Sequence, residues 1–188
     1  MKPMQIKMTN FGPYAKQEID FVRFTEQPLF LISGKTGSGK TTIFDAMCFA
    51  LFGSTSGDDR EAETMRSGFA KESELTEVEF VFEHQNKIYR IKRQPKQVIV
   101  KKRGTGTKIQ NMTVLLSYQS DDGENIELSK VGVVNKFIQE LIHLTAEQFT
   151  QIIMLPQGKF RNFLDSDSNE KEKLLRELFA TNLFKDWT

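Results

Sequence analysis

Eight consecutive residues carry the clearest chemistry in the chain: Gly34-Lys35-Thr36-Gly37-Ser38-Gly39-Lys40-Thr41. They complete a G-x-x-x-x-G-K-[ST] pattern, and Thr42 follows directly. Glycines at 34, 37 and 39 allow a tight backbone curl that brings successive N–H groups against phosphate oxygens. Lys40 is placed to reach β- and γ-phosphates, and the Thr41 hydroxyl to ligate Mg²⁺. From average residue usage, a chance match in a chain this long is roughly a 1% event. The chemistry predicted is nucleotide binding.

The flanking residues must position that loop. Leu29-Phe30-Leu31-Ile32 is a short apolar run that predicts a buried strand of a parallel sheet. Ile43 to Phe52 is apolar almost all round, with Asp45 its one charged residue, which predicts a buried helix. That helix begins near Lys40 and points its positive end at the phosphates. Gly53 supplies the left-handed stop expected just past a helix end. Cys48, the single cysteine, lies on this helix and reads as a small core hydrophobe.

The rest of the composition describes an ordinary globular chain. It has 188 residues, 38% hydrophobic and 27% charged. That is enough for one domain with a sizeable core. No run approaches the ~18 apolar residues of a membrane helix, and two isolated histidines with one cysteine make no metal cluster. A reduced, cytoplasmic setting is expected. The net charge of +1 hides an asymmetry. Lys87, Arg90, Lys92, Arg93, Lys96, Lys101, Lys102, Arg103 and Lys108 fall between His84 and Ser120, where no Asp or Glu occurs. A DNA-facing surface is one reading of this run, centred on Lys101, Lys102 and Arg103. The other is a set of solvated strand faces.

In chain order, Met4–Met8 and Gln17–Phe24 read as two strands joined by the turn Asn10-Phe11-Gly12-Pro13-Tyr14, forming an antiparallel edge beside the loop's strand. Arg66, in the polar stretch Ser54–Lys71, reads as a solvated cation rather than a nucleotide contact. A β-rich meander follows, with strands at Glu77–Glu83, Ile88–Ile91, Gln97–Lys102, Met112–Tyr118 and Ile126–Leu128. Val133, Val134, Phe137, Ile138, Leu141 and Ile142 then take helical spacing. Thr145 with Gln148 forms a capping box for a helix from Ala146 to about Met154. Pro156 ends that helix, and Leu155-Pro156-Gln157-Gly158 is a loop. Asp167 with Glu170 opens a last, charged helix.

The sequence resembles the N-terminal half of an SbcC ATPase head, from the SMC-like branch of the ABC ATPases. The likeness covers nearly the whole chain. Its marks are Asn10-Phe11, the glycine-rich loop, Asp45-Ala46 and Phe49-Ala50-Leu51-Phe52-Gly53. Further marks are Tyr89-Arg90-Ile91-Lys92-Arg93, Gln148-Phe149 and Leu155-Pro156-Gln157-Gly158-Lys159-Phe160-Arg161-Asn162-Phe163-Leu164. The resemblance implies an α/β ABC-type P-loop half-head: a mixed sheet with an antiparallel β-meander, then a helical segment leading to a coiled coil. Residues 1–165 would be the head part and 166–188 the start of the coiled-coil helix. It implies ATP and Mg²⁺ as ligands, held by Gly34, Lys35, Thr36, Gly37, Ser38, Gly39, Lys40, Thr41 and Thr42. Gln157 would be the catalytic glutamine that senses Mg²⁺ and the γ-phosphate.

The signature loop, the acidic magnesium motif and the switch histidine of such heads do not occur in these 188 residues. The chain is therefore expected to be a fragment of a longer protein, or one piece of a split one, inactive in hydrolysis by itself. The implied partners are the C-terminal half of the same head, a second such head in a homodimer, an SbcD-like nuclease subunit and double-stranded DNA; no membrane is implied. The implied function is ATP-dependent control of a nuclease acting on double-stranded DNA ends and hairpins, at the nucleoid. Two alternatives stand beside it: an SMC- or RecF-like DNA clamp without a nuclease, and a small-molecule kinase with the same loop.

Overall fold

In the computed structural model, residues 1–24, 31–56, 62–71, 73–101, 105–150 and 167 are described. Strand β1 (Lys2–Phe11) pairs antiparallel with β2 (Tyr14–Asp20) on one side and β3 (Glu77–His84) on the other. β4 (Lys87–Gln94) continues the sheet, followed by β7 (Thr113–Gln119) and β8 (Asn125–Leu128), in the order β2-β1-β3-β4-β7-β8. Every pairing among the described residues is antiparallel. Between β4 and β7 the chain leaves the sheet to form a separate hairpin of β5 (Gln97–Val100) and β6 (Thr107–Gln110).

Alternation along the strands decides which face is buried. Ile6, Met8, Phe80, Phe82, Ile91 and Leu116 point inward and are fully buried. They meet α1 (Lys40–Phe52) and α2 (Val131–Ile142), which cover that face. Burying each such side chain stabilises the fold by about 1.5–3 kcal/mol. A row of rings, Phe80, Phe82, Tyr89, Tyr118 and Phe137, runs across the sheet onto α2 with centroids 5.1–5.4 Å apart. The outer face is polar and paired across strands: Lys7 with Glu18, Arg90 with Glu79, and Lys92 with Glu77. The capping box of α3 (Ala146–Phe149) forms as its residues dictate, the Gln148 N–H donating to Thr145 Oγ1 and the Thr145 N–H to Gln148 Oε1.

Two expectations need correction. Leu31 and Ile32 lie in no strand, and Leu31 is 88% exposed. An apolar run becomes a strand only where a neighbour supplies the ladder, and none of the described strands pairs with residues 31–35. For the same reason β1 sits beside β3 rather than beside the loop's strand. The rest of the expected strand, Leu29-Phe30, lies outside the described residues, as do Leu155-Pro156-Gln157-Gly158 and the charged helix after Asp167.

Candidate nucleotide-binding site

The glycine-rich loop ends at Gly39, the N-cap of α1, with φ 88°. Among the described residues no side chain caps this helix, and Gly39 has none to offer. Helix geometry then leaves the N–H groups of Lys40, Thr41 and Thr42 without acceptors of their own. These orphan donors and the helix dipole make the end of α1 an anion site. Gly37 also takes a positive φ, 84°. A Cβ on Gly34 would stand 2.7 Å from Ser38 Oγ, so that hydroxyl would have to turn aside to admit one.

Lys40 Nζ donates to the Gly34 carbonyl at 2.7 Å and the Lys35 carbonyl at 2.9 Å, which carries the ammonium across the loop's mouth. Thr41 is exposed on the first turn. Thr42 is buried, with its methyl packed under Gly12, where an added Cβ would come within 2.6 Å. Its backbone N–H, not its side chain, is what Thr42 offers a phosphate. The donor set thus fits a bound polyphosphate: backbone amides, one ammonium and one hydroxyl available to a metal.

The far end of the same helix is anchored by a residue that sequence reasoning missed. Arg93 is fully buried, and its Nε donates to the Ala50 carbonyl at 3.0 Å. Its Nη2 reaches the Leu51 carbonyl at 3.2 Å and Asn135 Oδ1 of α2 at 2.9 Å. Among the described residues no carboxylate pairs with it. Burial pulls its pKa down to about 10, so it remains cationic at neutral pH. The charge sits where α1 exposes its last carbonyls, the negative end of the dipole. The signal was present in the strand alternation: Tyr89, Ile91 and Arg93 share one face, and the first two belong to the core.

Asp45 is buried on α1 and accepts from both the backbone N–H and the hydroxyl of Ser56, tying the following loop to the helix. Cys48 is buried, and its thiol is pushed up to about 11, chiefly by desolvation, as suits an inert core side chain. Arg66 is half-buried and held by hydrogen bonds rather than free in solvent. It donates to Thr76 Oγ1, Gln97 Oε1 and the Lys71 carbonyl, while its backbone bridges to Phe11.

The basic run between His84 and Ser120 is not free of acids in space. Lys87 pairs with Asp121 at 2.8 Å, Lys92 with Glu77 at 2.8 Å and Lys96 with Glu63 at 3.5 Å, while Arg90 pairs with Glu79 and Arg93 is buried. Lys101 and Lys108, on the β5–β6 hairpin, are exposed and lack an ion pair among the described residues. Lys102 and Arg103 lie outside those residues, as does Gln157.

An uncapped helix behind a glycine-rich turn, with a lysine across its mouth, is the arrangement of a P-loop domain. A family model described as an AAA domain matches residues 5–185, and the chain belongs to that family. It is 45% identical over 192 residues to SbcC of the SbcCD nuclease from Lactococcus lactis subsp. lactis, covering 100% of this chain and 18% of that protein. The SbcC protein of Vibrio cholerae serotype O1 is 45% identical over 186 residues, covering 98% and 18%. That of Staphylococcus aureus (strain MRSA252) is 45% identical over 185 residues, again 98% and 18%. The chain spans 18% of the length of these relatives. A solved structure from work on ATP-driven dimerization and DNA-stimulated activation of SMC ATPases aligns at TM-score 0.49 and 16% identity, covering 95% of this chain and 99% of that one. Among the described residues no helix is long and apolar enough to cross a membrane.

Proposed function

We propose that this chain is the ATP-binding N-terminal half of an SbcC-like head, working in the cytoplasm at the nucleoid. The observation that carries the reading is the uncapped N-terminus of α1 with Lys40 bridging the loop in front of it. The loop amides and Lys40 bind the phosphates. Thr41, and Gln157 beyond the described residues, are the proposed ligands of Mg²⁺, which when bound neutralises charge on the phosphates. Gln157 is further proposed to orient the attacking water through its amide. In this reading residues 1–165 form the head part and 166–188 enter a coiled coil.

The partners proposed are the C-terminal half of the head, a second head across the nucleotide, an SbcD-like nuclease and double-stranded DNA. The exposed Leu31, directly before the loop, supports a missing covering segment. Hydrolysis would then require both halves, since positioning and charge neutralisation do the catalysis.

Removing the ammonium tests the site. Lys40→Ala should weaken Mg-ATP binding roughly tenfold or more, about 1.4 kcal/mol, with the fold intact. Equal titration curves for variant and parent would overturn the assignment.

For DNA, the ion pairs narrow the candidate surface to the β5–β6 hairpin: Lys101, Lys108 and the adjacent Lys102 and Arg103. Phosphate contacts of this kind release counterions. Lys101→Glu with Arg103→Glu should weaken duplex binding and flatten the slope of log affinity against log salt by about 1 per lost contact. An unchanged slope assigns these cations to a solvated face.

A further inference from the structure

The β1–β2 turn is built against the phosphate loop. Phe11 stacks on Phe49 of α1 at 5.7 Å, and the Gly12 N–H donates to the Met65 carbonyl at 2.6 Å. The turn is therefore fixed from two sides. It presents Pro13 and Tyr14 to Gly39, where an added Cβ would stand 2.7 Å from Pro13 Cγ and 2.8 Å from the Tyr14 oxygen. The Tyr14 hydroxyl donates to the Gly39 carbonyl at 3.1 Å. Desolvation raises its pKa above the ordinary tyrosine value, so the hydroxyl remains a donor at neutral pH.

A trans peptide is planar, and its C=O and N–H point in opposite directions. The described chain contains no cis peptide. Whatever holds the Gly39 carbonyl therefore aims the Lys40 N–H. We propose that Tyr14 is a positioning residue for phosphate binding: its hydroxyl fixes the Gly39–Lys40 peptide plane, so that the Lys40 N–H faces the anion. This inference rests on the nucleotide-binding reading above. As the N-cap carbonyl, that of Gly39 also accepts the first intrahelical bond of α1, so the Tyr14 hydroxyl is a second hold on a peptide that follows a soft glycine at φ 88°.

An amide aimed at a phosphate helps the bound substrate and the transition state alike. Its loss therefore raises KM with kcat preserved. The test is Tyr14→Phe in the intact ATPase with its partner segments, which keeps the ring against Gly39 and removes only the hydroxyl. KM for Mg-ATP and Kd for Mg-ADP should both rise about fivefold, the scale of one hydrogen bond, with kcat and Tm near those of the parent. A parent that binds no Mg-ADP removes the nucleotide reading and this inference with it. A parent that binds, beside a variant of equal Kd and KM, overturns the role of Tyr14 and leaves the site standing. A joint fall of kcat and Tm also overturns it, since that marks a purely structural side chain.

Discussion

Arg93→Met should lower the unfolding free energy of the head by about 3 kcal/mol, one of the largest single-residue losses expected in this fold. Methionine roughly fills the volume but donates nothing. The Ala50 and Leu51 carbonyls and Asn135 Oδ1 lose their common donor, and each buried acceptor left unmet costs about 1–3 kcal/mol before relaxation. The C-terminal end of α1 also loses the cation that offsets its dipole. Arg93→Lys should restore little, because a single ammonium cannot span three acceptors on two helices with the planar fork of a guanidinium. At roughly 2–4 °C per kcal/mol for a domain of this size, a melting point lower by about 10 °C is expected in the intact protein. A shift of a degree or less would mean that the carbonyls find other partners and that Arg93 is not the anchor of α1.

What the sequence disclosed followed from how local the physics was. The helix after the glycine-rich loop was legible because its apolar residues occupy every side and Gly53 ends it, with the Gly53 N–H returning to the Phe49 carbonyl at 2.9 Å. The capping box at Thr145 was legible because four residues make it. The absence of a strand at Leu31-Ile32 was not, because an apolar run states that something must cover it and not what does. The β5–β6 hairpin was half legible. Gln97–Val100 carries strand residues, whereas Thr107–Gln110, polar at all but Ile109 and exposed at all but Gln110, pairs through register alone.

The site divides in the same way. Its loop was readable from residue types, because backbone amides and a lysine at fixed spacing need no distant partner. Its supports come from far along the chain: Tyr14 from 25 residues before Gly39, and Arg93 from more than 40 after the end of α1. Counting charge along the chain placed Arg93 in a basic surface. Counting it by the pleat places it in the core, since Val78 and Val114 flank it from neighbouring strands.

Gly39→Ala should abolish useful nucleotide binding, weakening Mg-ATP by about 100-fold or more, near 2.7 kcal/mol. Two costs combine at this position. An L-residue held at φ 88° pays about 1–2 kcal/mol in backbone strain. The added methyl must also enter space held by Pro13 Cγ at 2.7 Å and the Tyr14 ring carbon at 2.9 Å, and the turn behind them is pinned by Phe11 and Met65. The strain is relieved either by rotating the Gly39–Lys40 peptide, which takes an amide from the anion, or by lifting the turn, which takes the Tyr14 hydroxyl from the carbonyl. Gly37→Ala is the control. Its φ is 84°, but nothing lies within 4 Å of an added Cβ, so only the backbone cost applies and roughly tenfold weaker binding is expected. Equal losses at 37 and 39, measured by Mg-ATP titration, would show that backbone strain alone matters and that the wall formed by Pro13 and Tyr14 does not shape the loop.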